Sequence, residues 1–353
     1  MRRVLPRPSL VALATALALA PAAKAQDAAT ETPAVAAPTL TAPEPSAQDL
    51  SAPVETERLE AAPFGAPPPL GESADPDADL AYGAFQRGYY LTAFHRATQR
   101  LERDPDDAAA MTLLGELYAQ GFGVPQDLAR ANDWYRLAAR AGDANALFAL
   151  AMNAIEGRGR DRDPQEGRRL LGEAAAAGHP RAAYNLALLL LASEDEADLA
   201  RAADLMRRAA EADVPAAQHG YGVLLAEGRG VEEDRIAATA WFSRAARNGD
   251  VSGMVEFAIA LFNGDGIGPN PEEAARWFRE AAFRGNAIAQ NRLARLHAEG
   301  RGVPQDPIEA AAWHLLAASQ GLTDAWLDER LDALTPEERG QAMALAEGRL
   351  QGM

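Results

Sequence analysis

Between residues 107 and 321, small and apolar side chains return at three- and four-residue steps with polar ones in the gaps. Ala146, Leu150 and Ala151, like Ala182, Leu186 and Ala187, fall on one face of a helix turning every 3.6 residues. A second kind of segment carries larger residues: Ala274, Trp277, Phe278 and Ala281 form an apolar stripe on the helix that Pro271 opens. Two helices therefore alternate, one built on small residues and one on an aromatic pair. Small residues let the helices approach closely, and the tryptophan is expected to fill the space left between neighbouring pairs.

The alternation has a fixed period. A small-residue run ends in Gly or a substitute at Gly142, Gly178, Asp213, Gly249, Gly285 and Gly321, with spacings of 36, 35, 36, 36 and 36. A Gly-x-Gly pair recurs in the same register at Gly121/Gly123, Gly157/Gly159, Gly228/Gly230, Gly264/Gly266 and Gly300/Gly302. An aromatic column runs through Trp134-Tyr135, Trp241-Phe242, Trp277-Phe278 and Trp313-His314, with Leu170 and Leu205 at the two positions that lack tryptophan. Three columns sharing one period predict stacked helical units, each too small to bury its apolar face alone. The fold class expected is all-α, a solenoid of stacked antiparallel helix pairs.

Starts and stops agree. Asp163-Pro164-Gln165-Glu166, Asn270-Pro271-Glu272-Glu273, Asp306-Pro307-Ile308-Glu309 and Thr335-Pro336-Glu337-Glu338 each place a capping side chain before a proline in the first turn. The paired glycines are expected to end the preceding helices, where a left-handed residue is easiest without a Cβ. A phosphate-cradling loop would follow a strand and carry a lysine; these glycines follow helices, and the chain's only lysine is Lys24.

The stretch Leu114-Gly115-Glu116-Leu117-Tyr118-Ala119-Gln120-Gly121-Phe122-Gly123-Val124-Pro125-Gln126-Asp127, followed by Ala131, Trp134-Tyr135, Ala138-Ala139 and Gly142, resembles a Sel1-like repeat, a relative of the tetratricopeptide repeat. Ala294 to Gly321 resembles it equally. The resemblance covers residues 107–321 as six units and implies that they wind as a right-handed superhelical solenoid. Residues 80–106, with Tyr82-Gly83-Ala84-Phe85-Gln86-Arg87-Gly88-Tyr89-Tyr90, look like a degenerate capping pair, and 322–353 like C-terminal capping helices. The third unit departs most: Ser193-Glu194-Asp195-Glu196 stands where Gly-x-Gly is expected, Leu205 replaces tryptophan and Asp213 replaces glycine. That unit reads either as tolerated drift or as a softer joint with an acidic loop.

The amino-terminal segments change the picture. Arg2, Arg3 and Arg7 precede an apolar stretch from Leu10 to Ala20, and Ala23-Lys24-Ala25 makes a small-x-small site. Residues 1–25 are therefore expected to be a signal peptide cleaved before Gln26, since the apolar run is short of the ~20 residues that span a bilayer. Localisation is expected to be periplasmic. Residues 26–79 turn to Ala, Pro and 11 acidic residues against one basic, Arg58, the composition of a disordered linker.

With 34 basic and 51 acidic residues in 353, the formal charge is −17, and −21 once residues 1–25 are removed (30 − 51). Nucleic acid, which needs a basic footprint, is disfavoured as a partner. With no cysteine, disulfides, thiolate metal sites and cysteine nucleophiles are excluded. No two of His95, His179, His219, His297 and His314 lie three or four residues apart, so no helix offers the paired imidazoles of a His-x-x-x-His metal site. No Gly-x-Ser-x-Gly elbow occurs either. No catalytic residue, metal or cofactor is expected.

A binding surface remains. Resemblance to Sel1-like proteins implies an adaptor or scaffold for protein or peptide partners. It also allows a periplasmic regulator of a membrane sensor kinase, or an envelope enzyme or muropeptide-binding protein; cysteine-rich relatives have been linked to penicillin binding, but this chain lacks both cysteine and Ser-x-x-Lys. In such solenoids the first helices line the concave side. Seven residues past each glycine marker come Leu113, Ala149, Asn185, Gly220, Glu256 and Arg292; three further come Glu116, Met152, Leu188, Val223, Ile259 and Arg295. The candidate groove is read at Met152, Asn185, Leu188, Val223, Glu256, Ile259, Arg292 and Arg295, an apolar middle with charged ends that suits a peptide or helix. The alternative is that its apolar members pack between helices.

Overall fold

A computed structural model describes residues 79–352, so the expected signal peptide and nearly all of the acidic linker lie outside the described residues. Among those residues there are sixteen helices and no strand. In order they are α1 (Leu80–Gln86), α2 (Tyr90–Arg103), α3 (Ala108–Gln120), α4 (Leu128–Arg140), α5 (Ala144–Glu156), α6 (Pro164–Ala176), α7 (Pro180–Leu190), α8 (Glu196–Glu211), α9 (Pro215–Glu227), α10 (Arg235–Arg247), α11 (Val251–Asn263), α12 (Pro271–Phe283), α13 (Ala287–Glu299), α14 (Pro307–Ser319), α15 (Ala325–Asp332) and α16 (Pro336–Gly352). They group into two compact units, residues 79–186 and 187–352, with the boundary inside α7. Within each unit, successive helices pack as stacked pairs.

Side chains cap most helix starts. Asp107, Asp127, Asp143, Asp234 and Asp250 each accept from a backbone N–H three residues on. Asn270 receives Glu273 N–H and returns its own amide to the Glu273 carboxylate, a reciprocal box that Thr335 and Glu338 also make. Four starts differ: α2, α9 and α15, at Tyr89, Val214 and Asp324, have no side-chain cap bond, and α7 is capped by a histidine.

Only the first glycine of each Gly-x-Gly pair ends a helix, which corrects the expectation that both do. That first residue has left-handed backbone and closes the preceding helix; Gly228, at φ 65°, donates to Leu224 O. Gly159 shows what the second one does instead. The helix α5 has already stopped at Glu156 on its cap Gly157, and Gly159 is an exposed loop residue two positions beyond. It is pressed against the start of α4, where an added Cβ would fall 2.6 Å from the backbone carbon and oxygen of Leu128. A Cβ on Gly230 would lie 2.2 Å from Leu199 O, and Gly123, Gly266 and Gly302 also meet the backbone of the preceding pair's second helix at 3.0 Å or less. Absence of a side chain at the second glycine thus sets the stacking distance between pairs, a role that the spacing alone does not reveal.

In the third pair Asp213 takes the glycine position with φ 60°, the one non-glycine residue with positive φ among the described residues. Its carboxylate accepts from Arg244, Gln218 and Asn248. These bonds offset the left-handed strain of an L residue.

The aromatic column is not uniform. Trp134 and Trp313 are each 1% exposed, and Leu170 and Leu205 are buried in the same register. Trp241 and Trp277, expected to be wedges, are only half-buried, and the next residues, Phe242 and Phe278, occupy the core instead. Trp277 and Trp313 differ in the neighbour 30 residues earlier. Phe283 packs edge-on against Trp313 at 5.1 Å while the Arg349 guanidinium covers the ring at 4.1 Å. Trp277 has Arg247 in the position that Phe283 holds for Trp313, and Arg247 leaves it open.

Candidate partner-binding surface

The first helices carry the candidate columns, described separately in the two units. In residues 79–186, Met152 on α5 and Asn185 on α7 are half-buried neighbours, the Asn185 amide 3.5 Å from the Met152 sulfur. On α3, Glu116 is also half-buried; it accepts from Tyr135 Oη at 2.8 Å and from Gln120 at 3.0 Å. Burial, and next the Glu116 charge, push the Tyr135 phenol far above its ordinary pKa, so it stays a donor.

In residues 187–352 the apolar middle is not available. Leu188, Val223, Ile259 and Glu256 are all buried, at 5, 9, 4 and 6% exposure. Close approach of the small-residue helices covers them, and the packing alternative is the one the structure shows at the three apolar positions. Arg292 and Arg295 on α13 remain half-buried. Arg295 makes a two-pronged bond to Asp324, with both distances 2.7 Å, and Asn291 adds a third at 2.8 Å. Burial alone would raise the Asp324 pKa, but hydrogen bonds from Arg295 and Asn291 outweigh it and hold the carboxyl below its ordinary value.

Trp326 completes this polar end. The Arg295 and Arg330 guanidinium carbons lie 4.9 and 3.3 Å from its ring centre. Arg292 is left over: its Nε is buried without a hydrogen-bond partner among the described residues. Burial, then repulsion from Arg295, lowers its pKa from the arginine value. Asp324 and Trp326 escaped the sequence reading because they lie past the last repeat, outside its columns. The Trp-Leu pair at 326–327, apolar amid charge, was the available signal.

The histidines are dispersed. His95 is exposed, His179 caps α7, and His219, His297 and His314 are buried. Among the described residues no group of three or more His, Asp or Glu is placed to hold a metal ion, and no helix is long and apolar enough to cross a membrane.

The Sel1 repeat pattern matches residues 108–143, 144–179, 180–214, 215–250, 253–286 and 287–322. The chain belongs to the Sel1 repeat family. Its third repeat is matched despite losing the glycine pair and the tryptophan, because the helix faces persist. A Sel1 repeat protein from Oxalobacter formigenes is 25% identical over 67% of this chain and 94% of its own, with a TM-score of 0.56. A protective antigen present in uropathogenic Escherichia coli strains and displaying an SLR fold is 24% identical over 74% of this chain and 64% of its own, with a TM-score of 0.52. That second likeness concerns the fold. No curated protein matches the chain. Sel1 repeat proteins are in general scaffolds for protein–protein interaction rather than enzymes, so the chemistry to seek is surface complementarity to a protein partner.

Proposed function

We propose that this protein is an exported, periplasmic scaffold that binds a protein or peptide partner on the first-helix surface of its Sel1 repeats. Six consecutive repeats carry the reading, since stacked pairs present many side chains in register without a catalytic constellation. Export is supported by the signal-like order of charge, apolar run and small residues in 1–25. The net charge of −21 (30 − 51) without residues 1–25 favours a partner bearing a basic segment. Contact is assigned to the accessible members of the columns: Met152 and Asn185 in one unit, Arg292 and Arg295 in the other.

The test is affinity capture from envelope extracts with the chain that starts at Gln26, comparing Met152→Asp and Arg292→Ala with the parent. Loss of a reproducibly captured protein from either variant, with helix content unchanged by circular dichroism, is the expected result. Undiminished capture by both folded variants would move the surface elsewhere.

A further inference from the structure

One cleft is absent from the repeat pattern. Between the end of α10 and the outer face of α12 lies a cavity of about 550 Å³, with Ala246, Met254 and Trp277 as its apolar lining and Arg247, Arg276 and Arg284 among its charged residues. One repeat further on, the matching space is occupied: Phe283, at the position of Arg247, sets its ring edge-on to Trp313, which is then 1% exposed. Phe257 holds Trp277 at 5.8 Å in a similar edge-on contact from within the same pair. What Trp277 lacks is a ring at the position that Phe283 fills for Trp313.

The charges around this cleft are unequally satisfied. Arg284 is held by Glu280 at 2.9 and 3.0 Å and by Gly249 O at 3.3 Å. Glu273 is engaged by Asn270 in the capping box. Arg247 and Arg276 are both exposed and carry no ion pair or hydrogen bond among the described residues. An open cleft against a tryptophan, wide enough to admit an aromatic side chain, therefore sits beside two unpaired guanidinium groups, in a protein whose overall charge is negative. Guanidinium forks match carboxylates, and aromatic rings prefer the edge-on geometry that Phe283 adopts one repeat later.

We infer that this cleft binds an extended peptide segment of a partner protein, inserting an aromatic side chain against Trp277 and setting flanking carboxylates on Arg247 and Arg276. The site is formed mainly by the second helices α10 and α12, with Met254 of α11 at its base, and shares no residue with the first-helix contacts proposed above. The local carboxylates Glu273 and Glu280 are already engaged by Asn270 and Arg284, and screening over ~8 Å at physiological ionic strength weakens the distant negative charge at Arg247 and Arg276.

The experiment uses the chain from Gln26 onward, labelled with 5-fluorotryptophan, with the Trp277 resonance assigned by Trp277→Phe. The probe is the blocked peptide acetyl-Gly-Glu-Phe-Glu-Gly-amide. A saturable shift confined to the Trp277 resonance is expected, with affinity at least ~10-fold weaker when Gln replaces both Glu or Ala replaces Phe, equivalent to about 1.4 kcal/mol each. Arg247→Phe, which copies the arrangement at Phe283, should abolish the shift without lowering the thermal midpoint. Arg276→Gln should erase the preference for Glu over Gln. If Arg247→Phe fails to fold, Arg247→Gln should show the same tenfold weakening. No saturable shift at millimolar peptide, equal affinity for all three peptides, or native affinity in the folded Arg247 variant would each overturn the assignment.

Discussion

His179 shows how a single residue departs from its repeat. Equivalent starts use Asp143, Asp250 or Asn286, but here Nδ1 of a histidine accepts Ala182 N–H at 3.0 Å while the ring stacks on Phe148 at 4.3 Å. A protonated imidazole has no acceptor nitrogen, so this cap exists only in the neutral form. Burial chiefly, then Arg181, lowers the His179 pKa, with Asp143 opposing. The folded state thus binds fewer protons than the unfolded chain. Its contribution is full above the unfolded value of ~6.5 and is lost as pH falls through that value toward the folded one. His219 and His297, also lowered by burial, act in the same direction. His179→Asn keeps a capping oxygen and should flatten, without abolishing, the fall in thermal midpoint between about pH 7 and 5. An unchanged slope would show that the cap is not pH-linked. The tryptophans give a second comparison at this scale. Trp313→Ala should cost about 3–5 kcal/mol in urea unfolding, as for a fully buried ring, whereas half-buried Trp277→Ala should cost clearly less. Equal losses would contradict the difference in packing.

At the level of the helix pair, the two glycines of each loop have separable roles. Gly228→Ala places a Cβ 3.3 Å from Glu233 Cβ and on left-handed backbone, and should cost about 1–2 kcal/mol. Gly230→Ala adds a clash with a backbone carbonyl that cannot swing away, and should cost about 1–3 kcal/mol more. Urea midpoints of the two variants decide the order; a milder Gly230 variant would mean the pairs can slide apart. The third pair lacks this device. There Asp195 caps α8, and Arg229 donates across to Leu191 O at 2.6 Å. Hydrogen exchange should find residues 190–205 opening more readily than 261–276, because the loop between α7 and α8 has no glycine to pack at backbone contact distance. Equal protection would show that the substitution carries no penalty. The helices and their caps were legible in the sequence because both follow from local chemistry. The contacts of Gly159 with Leu128 and of Gly230 with Leu199 were not, since they join residues of different pairs and leave the same glycine spacing that a simple helix stop would leave.

For the whole molecule, charge is the property that acts at a distance. An excess of 21 negative charges beyond residue 25 (30 − 51), where every cation is arginine, should accelerate encounter with a basic partner and make that acceleration sensitive to salt. Stopped-flow association with the captured partner should slow as salt rises while dissociation changes little; the reverse would assign the charges to the bound contact. Amino-terminal sequencing of the exported form should begin at Gln26, and retention of Met1 in a cytosolic pool would refute export.

Periodicity by itself determined the helix pairs, their number and their family, because a repeat of about 36 residues writes the same local preferences six times over. Which column members reach solvent was decided only in three dimensions. Leu188, Val223 and Ile259 share a register with the half-buried Met152 and Arg295, yet are themselves buried. Trp277 and Trp313 occupy one register too, but a phenylalanine closes over one and an arginine leaves the other open. Helix propensity and capping are sums over near neighbours in the chain, and a sequence displays them directly. Exposure depends on side chains contributed by adjacent helices, some of them 30 or more residues away, and it takes a value only when those helices are packed.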